Sequence, residues 1–308
     1  TCWNHPEQWH TVPGLCYLTP YKEYKDNGIA RVLNFAGLVP PEQSRFFNWS
    51  KPFVQLETTR GCFNTCAFCV SGGEKPVRTL SIESIRRRLQ LIHAHGIKNV
   101  RVLDRTFNYN PRRAKELLRL FLEFHPDIRF HLEIHPALLS EELKEELSLL
   151  PKGLLHLEAG IQSLREPVLE KSRRMGKLSD ALDGLRFLCA LPNMETHADL
   201  IAGLPLYHLH EIFEDVRTLA EYAAGEIQLE SLKLLPGTEM RRRAEESGIK
   251  YSPLPPYEVL QTHEINVSEL QTARQLSRLL DGFYNTPAWQ ALTRELILND
   301  EQFLHRFL

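Results

Sequence analysis

Three closely spaced cysteines constrain this chain more than any other feature of its sequence. Cys62, Cys66 and Cys69 follow the spacing C-x3-C-x2-C, and an aromatic residue, Phe68, precedes the last of them. Thiolates are soft ligands that suit zinc or iron–sulfur clusters. Structural zinc sites usually take four protein ligands. A group of three without a nearby fourth therefore indicates an iron–sulfur cubane in which one iron is left open for another ligand.

The cysteine inventory leaves two alternatives to a cluster. The chain has 308 residues and six cysteines, and Cys2, Cys16 and Cys189 show no partner spacing. Disulfide frameworks belong to short, cysteine-dense secreted domains, so we do not expect one here. A zinc site is the stronger alternative, and it would need a fourth ligand from elsewhere. Closely spaced free thiols also indicate a reducing compartment, because they would otherwise oxidise.

The bulk composition excludes several classes of protein. Hydrophobic residues make up 43% and charged residues 25% of the chain, as in ordinary soluble globular proteins. The apolar runs are too short to cross a bilayer and no signal-peptide pattern opens the chain, so we expect a cytoplasmic protein without a membrane partner. The formal charge of −2 does not indicate nucleic-acid binding, and the triple-arginine runs at 86–88 and 241–243 are typical of solvated helix faces.

Segments rich in β-branched residues alternate with segments of helical periodicity through the middle of the chain. The predicted strands cover residues 52–58, 99–104, 129–134, 154–158, 195–201 and 226–232. The predicted helix caps are Ser81, Asn110 with Pro111 after it, Ser140 and Ser179, and a further helix is predicted over 208–224. This alternation predicts right-handed βαβ units and a parallel sheet.

Six such units are two short of a full (β/α)8 barrel. We therefore predict an α/β fold with a partial (β/α)6 TIM-like barrel over residues 53–235. Residues 1–52 are predicted to be an N-terminal extension or linker, and residues 236–308 a mainly helical C-terminal extension. Cys62 follows the first predicted strand, which places the cysteines at the carboxyl ends of the strands, where barrel enzymes carry out their chemistry.

The cysteine run resembles the cluster motif of the radical S-adenosylmethionine (SAM) superfamily. This resemblance implies that Cys62, Cys66 and Cys69 bind a [4Fe–4S] cluster whose open iron binds SAM, with Phe68 beside the adenine. It further implies an oxygen-sensitive enzyme that cleaves SAM reductively and performs radical chemistry. Such an enzyme takes its electron from a donor such as flavodoxin or ferredoxin.

Four further segments resemble the branch that includes oxygen-independent coproporphyrinogen oxidase. They are the LEIHP run at 132–136, the GIQS run at 160–163, Arg174, and the DLIAGLP run at 199–205. The SAM contacts that this resemblance implies are Glu133, Gln162, Arg174 and Asp199. A carboxylate accepts bonds from vicinal ribose hydroxyls, and an arginine fork pairs with the SAM carboxylate. Two alternatives stay open, namely Arg173 in place of Arg174 and Gln162 as the cap of a helix start.

From about residue 53 to residue 265, the chain resembles most closely a branch usually fused behind a cobalamin-binding domain. The shared segments are VLDRTFN at 102–108, LKLLPGT at 232–238 and PPYEVL at 255–260. The Gly-Gly-Glu that this branch carries after its second strand is absent, because Asp104-Arg105-Thr106 stands there. Residues 1–52 are too few for a doubly wound cobalamin domain and contain no D-x-H-x-x-G, so we expect no cobalamin in this chain. Either that domain was lost or the chain is a fragment.

Strand-end residues without an implied SAM contact are candidates for the substrate side. They are Asp104, Arg105, Asn108, Tyr109, His131, His135 and Lys233. Asp104 and Asn108 are favoured because they follow the second strand where it should open into the cavity. A lone histidine such as His131 is more often a satisfied polar residue.

The sequence thus indicates a radical SAM enzyme acting on an unidentified small-molecule substrate, either a transferase or an oxidoreductase. One alternative cleaves a different carbon–sulfur bond of SAM and transfers the aminocarboxypropyl group. A second alternative is a non-catalytic, metal-binding structural module with a closed four-ligand site.

Overall fold

A computed structural model describes residues 2–30, 34, 37–300 and 302–307. The chain divides into two compact units, Thr1–Val39 and Pro40–Leu308. The domain boundaries expected at 52–53 and 235–236 stay predictions. Across the described ranges, no helix is long and apolar enough to cross a membrane.

The first unit is small and contains little regular structure. Two 3-10 helices, Cys2–Asn4 and Pro6–Thr11, precede an antiparallel hairpin of β1 (Cys16–Leu18) and β2 (Tyr24–Asp26). Within this unit, the side chain of Asn27 donates to the carbonyl oxygens of Trp9 and Val12 and so ties the hairpin to the second 3-10 helix.

The second unit is built around a parallel sheet. Its strands are β3 (Val54–Leu56), β4 (Thr59–Arg60), β5 (Arg78–Thr79), β6 (Asn99–Val102), β7 (Arg129–Ile134), β8 (Leu155–Gln162), β9 (Glu195–Ala202), β10 (Glu226–Ser231), β11 (Lys250–Tyr251) and β12 (Val259–Gln261). Six of them form one sheet in the order β10-β9-β8-β7-β6-β3, and every neighbouring pair is parallel. The α/β fold with a partial six-stranded TIM-like barrel is therefore confirmed.

Helices follow the strands and cover the outer face of the sheet. They are α1 (Ile82–Ala94), α2 (Pro111–Leu122), α3 (Glu141–Leu149), α4 (Glu166–Lys171), α5 (Leu178–Ala190), α6 (Leu209–Glu221), α7 (Glu239–Arg242), α8 (Val267–Leu279), α9 (Pro287–Asn299) and α10 (Phe303–Phe307). The core lies between the two layers. For example, α1 buries Ile85, Leu89 and Ile92, which recur at helical spacing. Burying each such side chain stabilises the fold by about 1.5–3 kcal/mol.

Alternation along the strands sends polar side chains to the opposite, concave face of the sheet. In β7, Phe130, Leu132 and Ile134 are buried against the helices, while His131 and Glu133 are half-buried on the concave side. The concave face is therefore lined by titratable groups rather than by the apolar layers that fill a closed barrel.

Local capping signals set most of the helix starts. The side chains of Ser81, Asn110 and Ser140 accept hydrogen bonds from the backbone N–H three residues on, as predicted. The prediction for Ser179 is wrong, because α5 begins at Leu178 and its N-cap, Lys177, makes no side-chain cap bond. Gly176, at φ +108°, turns the chain and lets the helix start earlier than the serine.

The fourth predicted strand ended too early at residue 158. In the structure β8 continues to Gln162, and its register against β9 shifts between Gly160 and Gln162. Gln162 adopts φ +74° at this β-bulge. A bulge re-aims the side chains around it, so the GIQS segment lies within the strand end rather than after it.

The C-terminal extension is mainly helical, as predicted, but it also contains the antiparallel hairpin β11–β12. Its helix α8 packs on β10, the last strand of the sheet. Beyond α8, the side chain of Asn285 accepts from the Ile227 N–H (2.9 Å) and donates to the Ile227 carbonyl (3.0 Å). This pair satisfies backbone groups that an edge strand would otherwise leave open.

Candidate active site

The cysteine loop leaves the sheet immediately after β3. The short strands β4 and β5 pair antiparallel and hold the two ends of the loop together. Gly61 adopts φ +102°, and a Cβ there would lie 2.5 Å from the Glu74 carbonyl oxygen, so only glycine fits this entrance to the loop. The next N–H, that of Cys62, donates to the same Glu74 carbonyl at 3.1 Å.

A buried carboxylate anchors the loop to the neighbouring strand. Asp104, 1% exposed, accepts hydrogen bonds from the backbone N–H groups of Thr58 and Thr59, each at 2.8 Å, and a further bond from the Thr58 hydroxyl. Contrary to the expectation that Asp104 faces the cavity, its oxygens are occupied by the turn that leads into the cysteine loop. Its position favours a role in holding that turn.

All three motif cysteines line one cleft at the carboxyl ends of the strands. Cys62 and Cys66 are buried, and Cys69 is half-buried. Burial raises the pKa of the Cys66 thiol, while the nearby Arg174 guanidinium acts against that rise. Cys189 lies instead in α5 and does not line this cleft. The cleft is therefore lined by the three motif thiols, and Cys189 does not supply a fourth thiol ligand there.

The same cleft, of about 150 Å³, brings together every residue for which a SAM contact was implied. The five side chains that line it with the cysteines are Phe68, Glu133, Gln162, Arg174 and Asp199. They come from the loop after β3, from β7, from β8, from the segment after α4 and from β9. The structure therefore collects, at one end of the barrel, residues that lie up to 137 positions apart in the chain, from Cys62 to Asp199.

Carboxylates give this cleft its electrostatic character. Burial raises the pKa of Glu133 to about 7, helped by the neighbouring Glu158, and Arg105, 3.7 Å away, only partly offsets the rise. Burial also raises the pKa of Asp199, whose Oδ1 lies 2.7 Å from His197 Nε2. Half-buried acids whose pKa is raised favour a ligand that brings positive charge or hydrogen-bond donors.

The structure distinguishes the two adjacent arginines. Arg174 follows α4 rather than lying in it; one of its nitrogens is 3.8 Å from Cys66 Sγ and another donates to the Gly160 carbonyl. Arg173, at φ +55°, pairs with Glu239 at the start of α7 and does not line the cleft. Arg174 is thus the member of the pair that faces the cysteines.

Gln162 does not cap a helix. It is the last residue of β8, whereas the N-cap position of α4 is Arg165, which makes no side-chain cap bond. The alternative of a capping role is therefore not seen, and the Gln162 side chain lines the cleft instead.

Asn108 differs from its expected position on the cavity wall. It is 0% exposed, and its side chain accepts from the His135 N–H and donates to the His135 carbonyl, both at 2.9 Å. His135 itself lines the cleft, and its Nε2 lies 3.0 Å from the Met175 carbonyl oxygen. Burial lowers the pKa of His135 to about 3, so the ring is neutral and donates this bond. Asn108 therefore positions the segment that carries His135.

The remaining substrate candidates fall in different places. Arg105 lines the cleft, whereas Tyr109 is half-buried at the end of a 3-10 helix and Lys233 is exposed and paired with Glu230. His131 pairs with Glu158, their side chains 2.7 Å apart. Of these four, the structure brings only Arg105 to the cleft wall.

Sequence reasoning missed Glu158, Asn64 and Thr106, which also line the cleft. Glu158 stands two and four positions before Gly160 and Gln162 on β8, so strand alternation was the signal that could have found it. Burial is the largest single influence on Glu158 and acts to raise its pKa. The hydrogen bond to His131, the charges of His197 and His131 and a hydrogen bond with Asp199 together hold the pKa below the ordinary value.

Comparison with known proteins identifies the family. Residues 56–219, more than half of the 308-residue chain, match the radical SAM superfamily. The chain belongs to this superfamily and is an enzyme of it. Residues 245–305 match a second family, which is described as a protein of unknown function (DUF4080).

Two curated relatives match more than half of this chain. The ribosomal protein uS12 methylthiotransferase RimO of Moorella thermoacetica is 28% identical over 57% of this chain and 43% of its own length. The tRNA-2-methylthio-N(6)-dimethylallyladenosine synthase of Herpetosiphon aurantiacus is 25% identical over 62% of this chain and 46% of its own length. The chain thus spans less than half the length of these relatives.

Solved structures share the fold at lower sequence identity. The cobalamin-dependent SAM radical enzyme OxsB with aqua-cobalamin bound has a TM-score of 0.65 and 15% identity over 93% of this chain and 52% of its own. The radical SAM methyltransferase TsrM of Kitasatospora setae, with cobalamin and a [4Fe–4S] cluster bound, has a TM-score of 0.56 and 20% identity over 70% of this chain and 41% of its own. At these identities the likeness concerns the fold alone.

The residues present fit the cofactors that the superfamily implies, a [4Fe–4S] cluster and SAM. The three thiols that line the cleft are the soft donors that iron requires. The same cleft supplies carboxylates and an amide for a polar, positively charged ligand, and Arg174 for its carboxylate.

Proposed function

We propose that Cys62, Cys66 and Cys69 hold the cluster, and that the facing side chains hold SAM for radical chemistry on a small-molecule substrate. The observation that carries the proposal is the single cleft in which the three thiols meet Glu133 and Asp199. Neither the spacing of the cysteines nor the acids alone would support it, because each pattern also occurs in structural sites.

Each side chain has a role that follows from its chemistry. When bound, the reduced cluster would supply the electron for cleavage of a carbon–sulfur bond of SAM. Arg174 has free donor capacity for the SAM carboxylate, since a guanidinium carries five N–H groups. Glu133 and Asp199 accept bonds from amino or hydroxyl groups, and Phe68 offers a flat face to the adenine. His135, neutral and bonded to the backbone, closes the cleft without adding charge.

We infer that the substrate is a small molecule. The cleft walls carry three carboxylates, Glu133, Glu158 and Asp199, and two arginines. A nucleic-acid substrate requires a surface rich in lysine and arginine instead. Arg105 is the substrate-side candidate best supported by its place on the wall. Asp104 and Asn108 have a supporting role. Asp104 forms hydrogen bonds with the backbone of the turn before the cysteine loop, and Asn108 with the backbone of His135.

Anaerobic reconstitution with iron and sulfide, followed by reduction with dithionite and product analysis, tests the proposal. We expect four irons and four sulfides per chain and the formation of 5′-deoxyadenosine from SAM. Appearance of 5′-methylthioadenosine instead would establish the aminocarboxypropyl alternative. Products that do not change when cobalamin is added would agree with the expectation that this chain binds none. A reduced cluster that leaves SAM intact would contradict the proposal.

Replacing Asp199 or Glu133 by alanine is expected to weaken SAM binding by roughly 10- to 150-fold. A charge-assisted hydrogen bond contributes on the order of 1.5–3 kcal/mol, and about 1.4 kcal/mol is a factor of ten in affinity. The measurement is anaerobic calorimetric titration of SAM into the cluster-loaded variants. The iron content should not change, because neither side chain is a thiol ligand.

Asp183→Ala provides a matched control, since Asp183 is an exposed residue of α5 that pairs with Arg186 and does not line the cleft. Its SAM affinity should equal that of the parent chain. Unchanged affinity in both Asp199→Ala and Glu133→Ala would show that SAM binds elsewhere.

A further inference from the structure

A second cavity lies at the opposite, amino ends of the strands. It has a volume of about 610 Å³ and opens on the concave face of the sheet. Its polar wall includes His131, His156, His197, Glu158 and Glu226. Only Glu158 also lines the cysteine cleft, so the two cavities meet at this side chain.

Three of its side chains converge on one point. His156 on β8, His197 on β9 and Glu226 on β10 each offer a ligand atom, and these atoms all lie within 4.8 Å of one another. Sheet register explains the convergence, because His197 and Glu226 are direct partners across β9 and β10. His197 Nδ1 lies 3.9 Å from Glu226 Oε2. His197 is 5% exposed, and His156 and Glu226 are half-buried.

The other nitrogen of each ring already lies near a carboxylate. His197 Nε2 is 2.7 Å from Asp199 Oδ1, although the contact is too bent to count as a hydrogen bond. His156 Nδ1 is 3.8 Å from Glu195 Oε2 and 3.0 Å from an Arg129 nitrogen. A carboxylate behind the second nitrogen is the arrangement that orients metal-binding histidines.

His156 also leaves a buried atom unused. Its Nε2 has no hydrogen-bond partner within the described part of the chain. An unpaired polar atom in a buried position costs free energy, so its presence needs an explanation. A ligand in the cavity would supply the missing partner.

We propose that His156, His197 and Glu226 bind a divalent first-row transition metal ion such as Zn²⁺. Two imidazoles and one carboxylate suit such ions and leave a coordination position open to the cavity. His197 binds through Nδ1, while its Nε2 lies 2.7 Å from the Asp199 carboxylate. His156 binds through Nε2, and its hydrogen moves to Nδ1. That hydrogen replaces the hydrogen bond that Arg129 donates to Nδ1, and Arg129 keeps its ion pair with Glu195.

The site is distinct from the cysteine cluster in donors and in position. Its ligands are nitrogen and oxygen from the amino halves of three strands, whereas the cysteines lie in a loop at the carboxyl ends. The open coordination position would face the larger cavity, where it could take a donor atom of a bound molecule.

Zinc titration of the whole 308-residue, cluster-loaded chain tests the proposal, because the loaded cluster occupies the three clustered thiols. We expect one Zn²⁺ per chain by equilibrium dialysis and metal analysis. His156→Ala, His197→Ala and Glu226→Gln should each weaken binding at least tenfold. Zinc-edge X-ray absorption should show a first shell of nitrogen and oxygen without sulfur.

Two matched controls keep the test decisive. Glu230→Gln changes an exposed acid at the other end of β10, and His93→Ala changes an exposed histidine on α1, so neither should alter zinc affinity. Glu226, at the rim of the cavity, provides a variant that should fold even if a histidine variant does not. Zinc affinity unchanged in Glu226→Gln, a sulfur shell, or binding only at millimolar zinc would each overturn the proposal.

Discussion

Replacing Cys62, Cys66 or Cys69 by alanine is expected to abolish the bound iron of the reconstituted protein. Each cysteine supplies one of three thiolates, and no other cysteine in the described second unit faces the cleft. Losing one leaves two ligands for a cubane that needs at least three protein thiolates. Iron and sulfide analysis, with the visible absorption of the cluster, measures the effect.

The remaining cysteines serve as controls for that experiment. Cys189 is part of α5, and burial raises the pKa of its thiol to about 12, so it stays protonated and is a poor ligand. Cys189→Ala, Cys16→Ala and Cys2→Ala should keep a full complement of iron. Loss of iron from Cys189→Ala, or its retention in Cys66→Ala, would show that the ligands have been assigned wrongly.

Replacing Asp104 by alanine is expected to lower the free energy of unfolding by about 3 kcal/mol or more. The change leaves two buried N–H groups and one hydroxyl, those of Thr58 and Thr59, without their acceptor. Each buried group left unsatisfied costs about 1–3 kcal/mol. Denaturant titration of the parent chain and the variant measures the loss.

Two further variants separate this effect from a general loss of charge. Asp127→Ala removes an exposed aspartate that pairs with His93 and Lys98, and it should change stability far less than Asp104→Ala does, because surface ion pairs contribute little. Asp104→Asn keeps the shape and one acceptor oxygen, so its loss should fall between the other two. An Asp104→Ala variant as stable as Asp127→Ala would show that the turn does not depend on this carboxylate.

Local sequence patterns were enough to predict much of the fold. Ser81, Asn110 and Ser140 cap helices because a short side chain can reach an N–H three residues away, a relation contained within four letters of sequence. The prediction that Ser179 caps α5 was wrong because the turn at Gly176, rather than the serine, sets the start of the helix. Glycine can adopt a positive φ but need not, so the residue type alone does not predict this turn.

Partners distant in sequence could not be predicted from residue type. A polar residue at a strand end was taken to face the cavity, but Asp104 bonds to Thr58, 46 positions away, and Asn108 bonds to His135, 27 positions away. The same limit hid the cluster of His156, His197 and Glu226. Each stands in a different strand, and only the register of β8, β9 and β10 brings them together.

The contacts between the C-terminal extension and the barrel determine how the second unit unfolds. The Asn285 side chain forms hydrogen bonds with both backbone groups of Ile227 on β10. In addition, the Met240 N–H donates to the Ala67 carbonyl within the cysteine loop at 2.8 Å. The Arg217 side chain also donates to the Leu298 carbonyl at 2.6 Å, which links the two stretches that match separate families, 56–219 and 245–305. Both stretches lie in one compact unit, so we expect them to unfold cooperatively. The cysteine loop consequently gains order from residues more than 170 positions downstream, so heating should melt barrel and extension in a single step.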